Sequence, residues 1–581
     1  MTPSSPPAWP LRRTVLCMVL LVALVETALL FAGNGGVLRG VLLDPDCYMH
    51  LQRAWRLMTG GWRPDGFDPR VNAPFGFAIH WTSLFDGLLV DGAWPLAALG
   101  MAPRAALYLW GSLVSPLLMM LSLAAFAAGT QRWVSGLSFL WLTVLLFTQP
   151  QLSGAFLAGR PDHHSLILGL MLMQLAWLYA LCDGRAAGGR TAVPLALSVG
   201  VAAGVQLCTS IEALLTILLV SVAVALLWAG FARNTLRLLA LYWAGCFASV
   251  LAWLALTCGP HAFQPLYDRV SIVHAVVLAD GLAAILLAGL LARRLPRALA
   301  LGLAGLLAAV LIAVTYPDFF LGPWPRLDPA VKAWHRQIRE LQPLLPDSWT
   351  HLADFLSQLA APMLALPLAI QSVRRGDGAT RQAMLVSLCG FAVFVPLALA
   401  QMRWSAEVQA AMLLPWTLTT QRLMRSRLAL RLGSGAVPLR SPLLMAALLL
   451  QVVPQLLVRP PDRVPAAATV CNWTAAARAL AALGPQRGIV MTELWYGPEI
   501  LWRTSFDVVG APYEIAPALA DTAVFESGAP AAARDVLAHR RVSYVLNCGP
   551  GRALAGLQPV AFAAPGFHLY RVAALRFEPA H

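Results

Sequence analysis

Three acidic runs carry the residues best equipped for chemistry: Asp44-Pro45-Asp46-Cys47-Tyr48-Met49-His50, Arg160-Pro161-Asp162-His163-His164, and Glu340-Leu341-Gln342-Pro343. Carboxylate oxygens mixed with imidazole nitrogens suit a hard divalent cation, Mn²⁺ or Mg²⁺, with Mg²⁺ the less tolerant of nitrogen. Asp46 and His50 stand four residues apart, so a helix puts them on one face with Arg53 continuing it. Tyr48, Met49, Leu51 and Trp55 then form an apolar side suited to a membrane interface. A merely solvated helix is the plain alternative for this segment taken alone. Asp44, held extended before Pro45, is a second candidate ligand. Asp162 opens an apolar run after Pro161, where a helix dipole favours an anion, so simple capping competes with metal binding there. Arg160 and His163 flank it as further candidates.

Two other charges lie beside apolar runs. Glu212 is a costly carboxylate near the end of a helix, with no evident role of its own. Arg403, followed by Trp404, reads equally as an interfacial anchor or as a fork for a phosphate or diphosphate.

The elements that must position these groups are membrane helices. Hydrophobic residues make up 59% of the 581-residue chain and charged residues only 12%, which excludes a soluble globular protein. The net charge of +14 comes from short arginine clusters between apolar runs, a record of topology and not a nucleic-acid surface. Read with the positive-inside rule, those clusters predict thirteen spans, near 14–33, 105–128, 134–149, 165–181, 192–208, 211–230, 238–256, 271–292, 298–316, 353–371, 382–401, 405–421 and 441–458. The apolar stretch 84–98 is interrupted by Asp86, Asp91 and Pro95 and reads as a helix lying in the outer interface. The expected topology is a multi-pass protein of the cytoplasmic (inner) membrane with a cytoplasmic N-terminus. The loops 34–104, 150–164, 257–270 and 317–352 then share the outer side, and with them all three acidic runs. The last loop is long and Pro- and Trp-rich, the habit of a lid.

Residues 1–458 thus form a transmembrane domain and 459–581 an extracytoplasmic one, large enough for its own core. Apolar runs at 488–492 and 541–546 read as strands and 497–503 as a helix opened by Pro498, a small α/β pattern. Cys471 and Cys548 are the two cysteines of that region, and an oxidising compartment would let them pair.

The order and common side of the three runs resemble the catalytic subunit of oligosaccharyltransferases, especially the archaeal and bacterial single-subunit forms, which are GT-C superfamily membrane glycosyltransferases. The resemblance covers nearly the whole chain and implies thirteen membrane helices with an outward C-terminal domain. It also implies that Asp46, Asp162, His164 and Glu340 hold the metal, that Glu340 belongs to a mobile outer loop, and that Arg403 holds the donor's diphosphate. The acceptor-reading motif of the family is Trp-Trp-Asp-Tyr-Gly. This chain has Glu493-Leu494-Trp495-Tyr496-Gly497, keeping only Tyr496 and Gly497 in register. Trp495 and Tyr496 are therefore acceptor candidates, and recognition of an Asn-x-Ser/Thr sequon is the family property this departure calls into question.

The expected function is metal-dependent transfer of a sugar or oligosaccharide from a polyprenyl phosphate or diphosphate to an outward-facing protein, glycan or lipid acceptor. Asp46 and Glu340 are the residues nearest the chemistry. Transfer of one sugar from a polyprenyl monophosphate on the same fold is the alternative. A lipid-linked glycan transporter is a third, since buried charge also marks transport paths, although these charges cluster at one end of the spans.

Overall fold

In a computed structural model, the residues described are 9–60, 66–231, 235–258, 262–324, 326–426, 429–432, 435–457, 471–483, 487–549 and 554–573. Among the described residues, ten helices are long and apolar enough to cross a membrane, from Leu11–Ala32 to Gly378–Ala400. The chain is a multi-pass membrane protein. The other three expected spans are helical too, but differ in kind. Leu137–Phe147 has 11 residues, Arg440–Leu457 has 18, and Ser405–Arg425 is enclosed by its neighbours along most of its length. That enclosure explains its polar residues: Gln409 donates to the carbonyl of Gln358 at 2.9 Å and accepts from the Leu152 amide at 2.9 Å. Thirteen crossings therefore stay an expectation beyond these ten.

Small residues let the helices close up. Gly200 on Ala192–Thr209 and Gly245 on Thr235–Trp253 face each other so closely that a methyl on either would meet the other helix's backbone. Polar side chains lock the same region, with Tyr242 donating to Gln174 and Gln174 to Gln206, each at 2.7 Å.

The segment between the first two spans is a folded layer. It holds the helix Pro45–Met58, a two-stranded ribbon pairing Phe67 with Ala78, and the helix Leu84–Ala98 packed on Pro103–Thr130. Above it lies a five-stranded sheet in the order 507–508, 489–491, 542–548, 567–572, 557–560. The first three strands are parallel, with Ile489 opposite both Asp507 and Val542. The last two are antiparallel, with Val545 opposite Tyr570 and Leu569 opposite Val560. Helices Gly497–Arg503, Ala516–Ser527 and Pro530–His539 supply the crossovers. The expected α/β pattern is present, and Cys471 is disulfide-bonded to Cys548 with their Cα atoms 5.9 Å apart. The expected boundary at 458/459 falls outside the described residues.

This sheet does not hold its core alone. Met49, Val71 and Ile79 of the first layer are buried among Val490, Phe506 and Leu546. Arg540, fully buried, donates to Asn72 Oδ1 at 2.7 Å and to Asp521 at 2.6 Å. Arg70 reaches the other way, to the Thr504 carbonyl at 2.9 Å. The apolar side of Pro45–Met58 is consequently not turned to lipid as its composition suggests: Met49 enters the sheet's core, while Tyr48 and Leu51 pack against Phe85 and Leu107.

Candidate functional site

Helix starts gather the site. Asp44 caps Pro45–Met58, its side chain accepting from the Cys47 amide at 3.0 Å with Pro45 at the first helical position, and this sets Asp46 in the first turn. Asp162 caps His163–Cys182, accepting from the His164 amide at 3.3 Å. Glu212 immediately precedes Ala213–Gly230, and Arg403 lies in the short turn before Ser405–Arg425. Helix N-termini favour the anions placed at them, so capping and site-building are the same arrangement here.

Asp162, fully buried, is the hub. One of its carboxylate oxygens lies 2.9 Å from His163 Nδ1 and 3.0 Å from His164 Nδ1, and the other 3.2 Å from Arg160 Nη2. Arg160 also reaches Asp44 at 3.0 Å. Burial opposes ionisation of Asp162, but His164 and His163 outweigh it and hold its carboxyl well below the ordinary 3.8. On the far side, His164 Nε2 stands 3.4 Å from Arg403 Nη2, which in turn is paired with Glu212. Glu212, without a role in the sequence alone, is the counter-charge of Arg403.

Asp46 lies beside this hub and makes no salt bridge among the described residues. Burial and then the charges of Asp44, Asp162 and Glu340 push its carboxyl well above 3.8, with only His164 pulling it back. Glu340, half-buried in the turn Arg339–Leu341, thus belongs to the same cluster of carboxylates. Carboxylates gathered around one whose ionisation they oppose are a donor set a divalent cation could use, and Asp46, Asp162, His164 and Glu340 are the residues that could hold it.

His50 departs from the face-sharing expectation. Its ring turns from Asp46 to Asp86, at 2.7 Å from Nδ1, and to His163, 3.0 Å from Nε2, and stacks on Trp81 at 4.6 Å. Arg53 clamps the other oxygen of Asp86 at 2.7 Å. His50, Asp162 and His163 place three ligand atoms within 4.8 Å of one another, a rival metal site. His50 and His163 are bonded to each other and to carboxylates, which is equally the geometry of a buried relay.

Beside the cluster, the loop 317–352 docks on the upper layer. Val331 and Trp334 of the helix Pro329–His335 pack on Leu519, and Trp334 meets Trp495 with ring centroids 6.2 Å apart. Glu514 bridges His335 at 3.2 Å and His80 at 3.4 Å. The two acceptor candidates part company here. Trp495 is 38% exposed beside the loop, whereas Tyr496 is stacked on Trp473 at 3.6 Å.

Several site residues escaped the sequence. Asp86 was legible only as an interruption of an apolar run, although a carboxylate there is itself a signal. Tyr513, buried against Trp81 at 5.0 Å, and Glu514 carry no motif at all. Glu407, one turn beyond Arg403, is buried with one oxygen lacking a hydrogen-bond partner.

Among solved structures, the chain is similar to the archaeal oligosaccharyltransferase AglB from Archaeoglobus fulgidus in complex with an inhibitory peptide and a dolichol-phosphate. The identity is 15% over 92% of this chain and 69% of that one, with a TM-score of 0.67. An Archaeoglobus fulgidus oligosaccharyltransferase tethered with an acceptor peptide containing the NVT sequon gives 15%, 92%, 68% and 0.64. Its complex with Zn and sulfate gives 15%, 92%, 67% and 0.61. No family model and no curated protein matches the chain. At this identity the likeness shows the fold alone: the chain shares the fold of the archaeal oligosaccharyltransferase.

Proposed function

We propose that the chain is a glycosyltransferase of the oligosaccharyltransferase type, moving a sugar or oligosaccharide from a polyprenyl phosphate or diphosphate to an acceptor on the outer side of the membrane. One observation carries this reading: Asp46, whose ionisation is opposed by burial and by Asp44, Asp162 and Glu340, adjoins through Asp162 and His164 the guanidinium of Arg403. A cation-binding pole beside a phosphate-binding pole is what breaking a sugar–phosphate bond needs. The solved relatives lend support, since AglB was captured with dolichol-phosphate and an Archaeoglobus fulgidus oligosaccharyltransferase, separately, with an acceptor peptide.

A divalent cation, Mn²⁺ or Mg²⁺, would supply charge neutralisation for the departing phosphate. Arg403 binds the phosphate from the other side and must exchange its contact with Glu212 to do so. Asp162, fixed by His163, His164 and Arg160, keeps the ligand geometry preorganised. Asp46, the least encumbered carboxylate, orients the acceptor's nucleophilic atom, and Glu340 enters with the loop that closes over the site and excludes water.

The test is turnover of a polyprenyl-diphosphate-linked disaccharide by purified protein in detergent or nanodiscs, followed as released or transferred glycan. Activity that vanishes with EDTA and returns with Mn²⁺ supports the reading. Donor consumption insensitive to EDTA, or none with either a monophosphate or a diphosphate donor, would overturn it.

A further inference from the structure

The hydroxyl of Tyr513 is a buried polar group that the site described so far leaves idle. Tyr513 is 2% exposed, and its oxygen has no hydrogen-bond partner among the described residues. It belongs to the upper layer, in the segment just before Ala516–Ser527, and is fixed there twice. Its ring meets the edge of Trp81 at 5.0 Å, and its neighbour Glu514 is tied to both His80 and His335. The phenol is therefore held by the first layer, the sheet layer and the docked loop at once, a poor place for a hydroxyl that packing alone would serve as phenylalanine.

The packing around that ring places it beside the carboxylates. Trp81, which Tyr513 meets, stacks on His50 at 4.6 Å and lies 5.1 Å from His163, the neighbour of Asp162. Asp46 is the first of the charges that bear on the phenol. A buried hydroxyl beside carboxylates, with no hydrogen-bond partner among the described residues, is poised to donate to a molecule that comes between.

We propose that Tyr513 is an acceptor-binding residue, its hydroxyl donating a hydrogen bond to an amide or hydroxyl oxygen of the acceptor as the acceptor's nucleophilic group approaches Asp46. This rests on the glycosyltransferase reading and deepens it. The upper layer supplies acceptor recognition from inside the site as well as from the 493–497 segment that departs from the family's motif. Carbonyl- and hydroxyl-bearing acceptors fit this donor.

The experiment compares two reactions of one enzyme with the same polyprenyl-diphosphate disaccharide. One is transfer to the best-used member of a panel of Asn-x-Thr, Ser-rich and Thr-rich peptides, and the other is hydrolysis to water without peptide. Tyr513→Phe keeps the ring against Trp81. It is expected to lower kcat/KM for the peptide by roughly 3- to 10-fold, the worth of one neutral hydrogen bond, with hydrolysis and the donor KM unchanged. Tyr513→His, which keeps a ring donor, is expected to recover part of the loss and serves as the comparison if the Phe variant does not fold. Equal rates for wild type and Phe variant, or parallel loss of transfer and hydrolysis, would overturn the assignment. Absence of both reactions in the wild type would instead overturn the glycosyltransferase reading.

Discussion

Most charged side chains at the site are answered by another, and the pairings predict distinct failures. Asp86 accepts from His50, His50 contacts His163, and His163 contacts Asp162, so a group two residues removed from the cation site fixes the orientation of its central carboxylate. Partners of this outer kind typically cost 10- to 100-fold in metal affinity when lost. Asp86→Asn should weaken Mn²⁺ binding by about that factor in a calorimetric titration, and unaltered affinity would show the relay to be mere packing. Arg403 predicts a different signature. Arg403→Ala removes the phosphate contact and leaves Glu212 without its cation, so kcat/KM should fall alike for every acceptor, whereas substitution of the half-exposed Trp495 should change the ranking of acceptors. Tyr496, closed off by Trp473, should affect stability of the upper layer more than choice of acceptor.

At the scale of elements, the docked loop is held by a latch whose acid sensitivity follows from its chemistry. Burial holds His80 below its ordinary 6.5, so the docked state binds fewer protons than the released one. Burial opposes ionisation of Glu514, but the hydrogen bond from His335 and the field of His80 prevail and hold it below 4.5. Both groups then favour docking above their ordinary values. Docking is lost first as pH falls through about 6.5, when the released His80 gains its proton. It is lost further as Glu514 is neutralised below the ordinary carboxylate range. Protection of the amides of residues 329–341 against hydrogen exchange, taken relative to the intrinsic rate at each pH, should fall between pH 7 and pH 5, and Glu514→Gln should lower it already at pH 7. Exchange insensitive to both would leave Trp334 and Val331 packing as the sole anchor. The loop's existence was legible from its length and composition. Its partners were not, because Glu514 and His80 are separated from it by long stretches of chain and have no local pattern that marks them.

Across the whole molecule, the spans and the chemistry-bearing runs were legible because each is local: an apolar run reports a helix, and an acid beside Pro161 reports a helix start. What stayed hidden is where separate layers share side chains. The C-terminal sheet reads from sequence as a domain apart, yet its core takes in Met49, Val71 and Ile79, and Arg540 and Arg70 cross in opposite directions between the layers. Arg540→Ala takes the donor from buried Asn72 and from the partly exposed Asp521, and should cost about 3 kcal/mol, since such charge-assisted bonds are worth about 1.5 to 3 kcal/mol each and do not simply add. Thermal unfolding in detergent should then show loss of the upper layer together with weakened Mn²⁺ binding, because the sheet buttresses the helix that carries Asp46. A destabilised sheet with an unchanged cation site would mean that the two layers act independently.

The central claim is that Asp46, Asp162 and Glu340, drawn from three distant runs, hold one cation beside Arg403. Titration of Mn²⁺ into the purified protein, read by the loss of the free-ion electron paramagnetic resonance signal, tests it most directly, with Asp46→Asn, Asp162→Asn and Glu340→Gln against wild type. The account predicts one tight site in the wild type, weakened by each of the three substitutions and retained in His50→Gln with lower affinity. A tight site untouched by Asp46→Asn and Glu340→Gln but abolished by His50→Gln would place the metal in the buried histidine cluster instead and contradict the account.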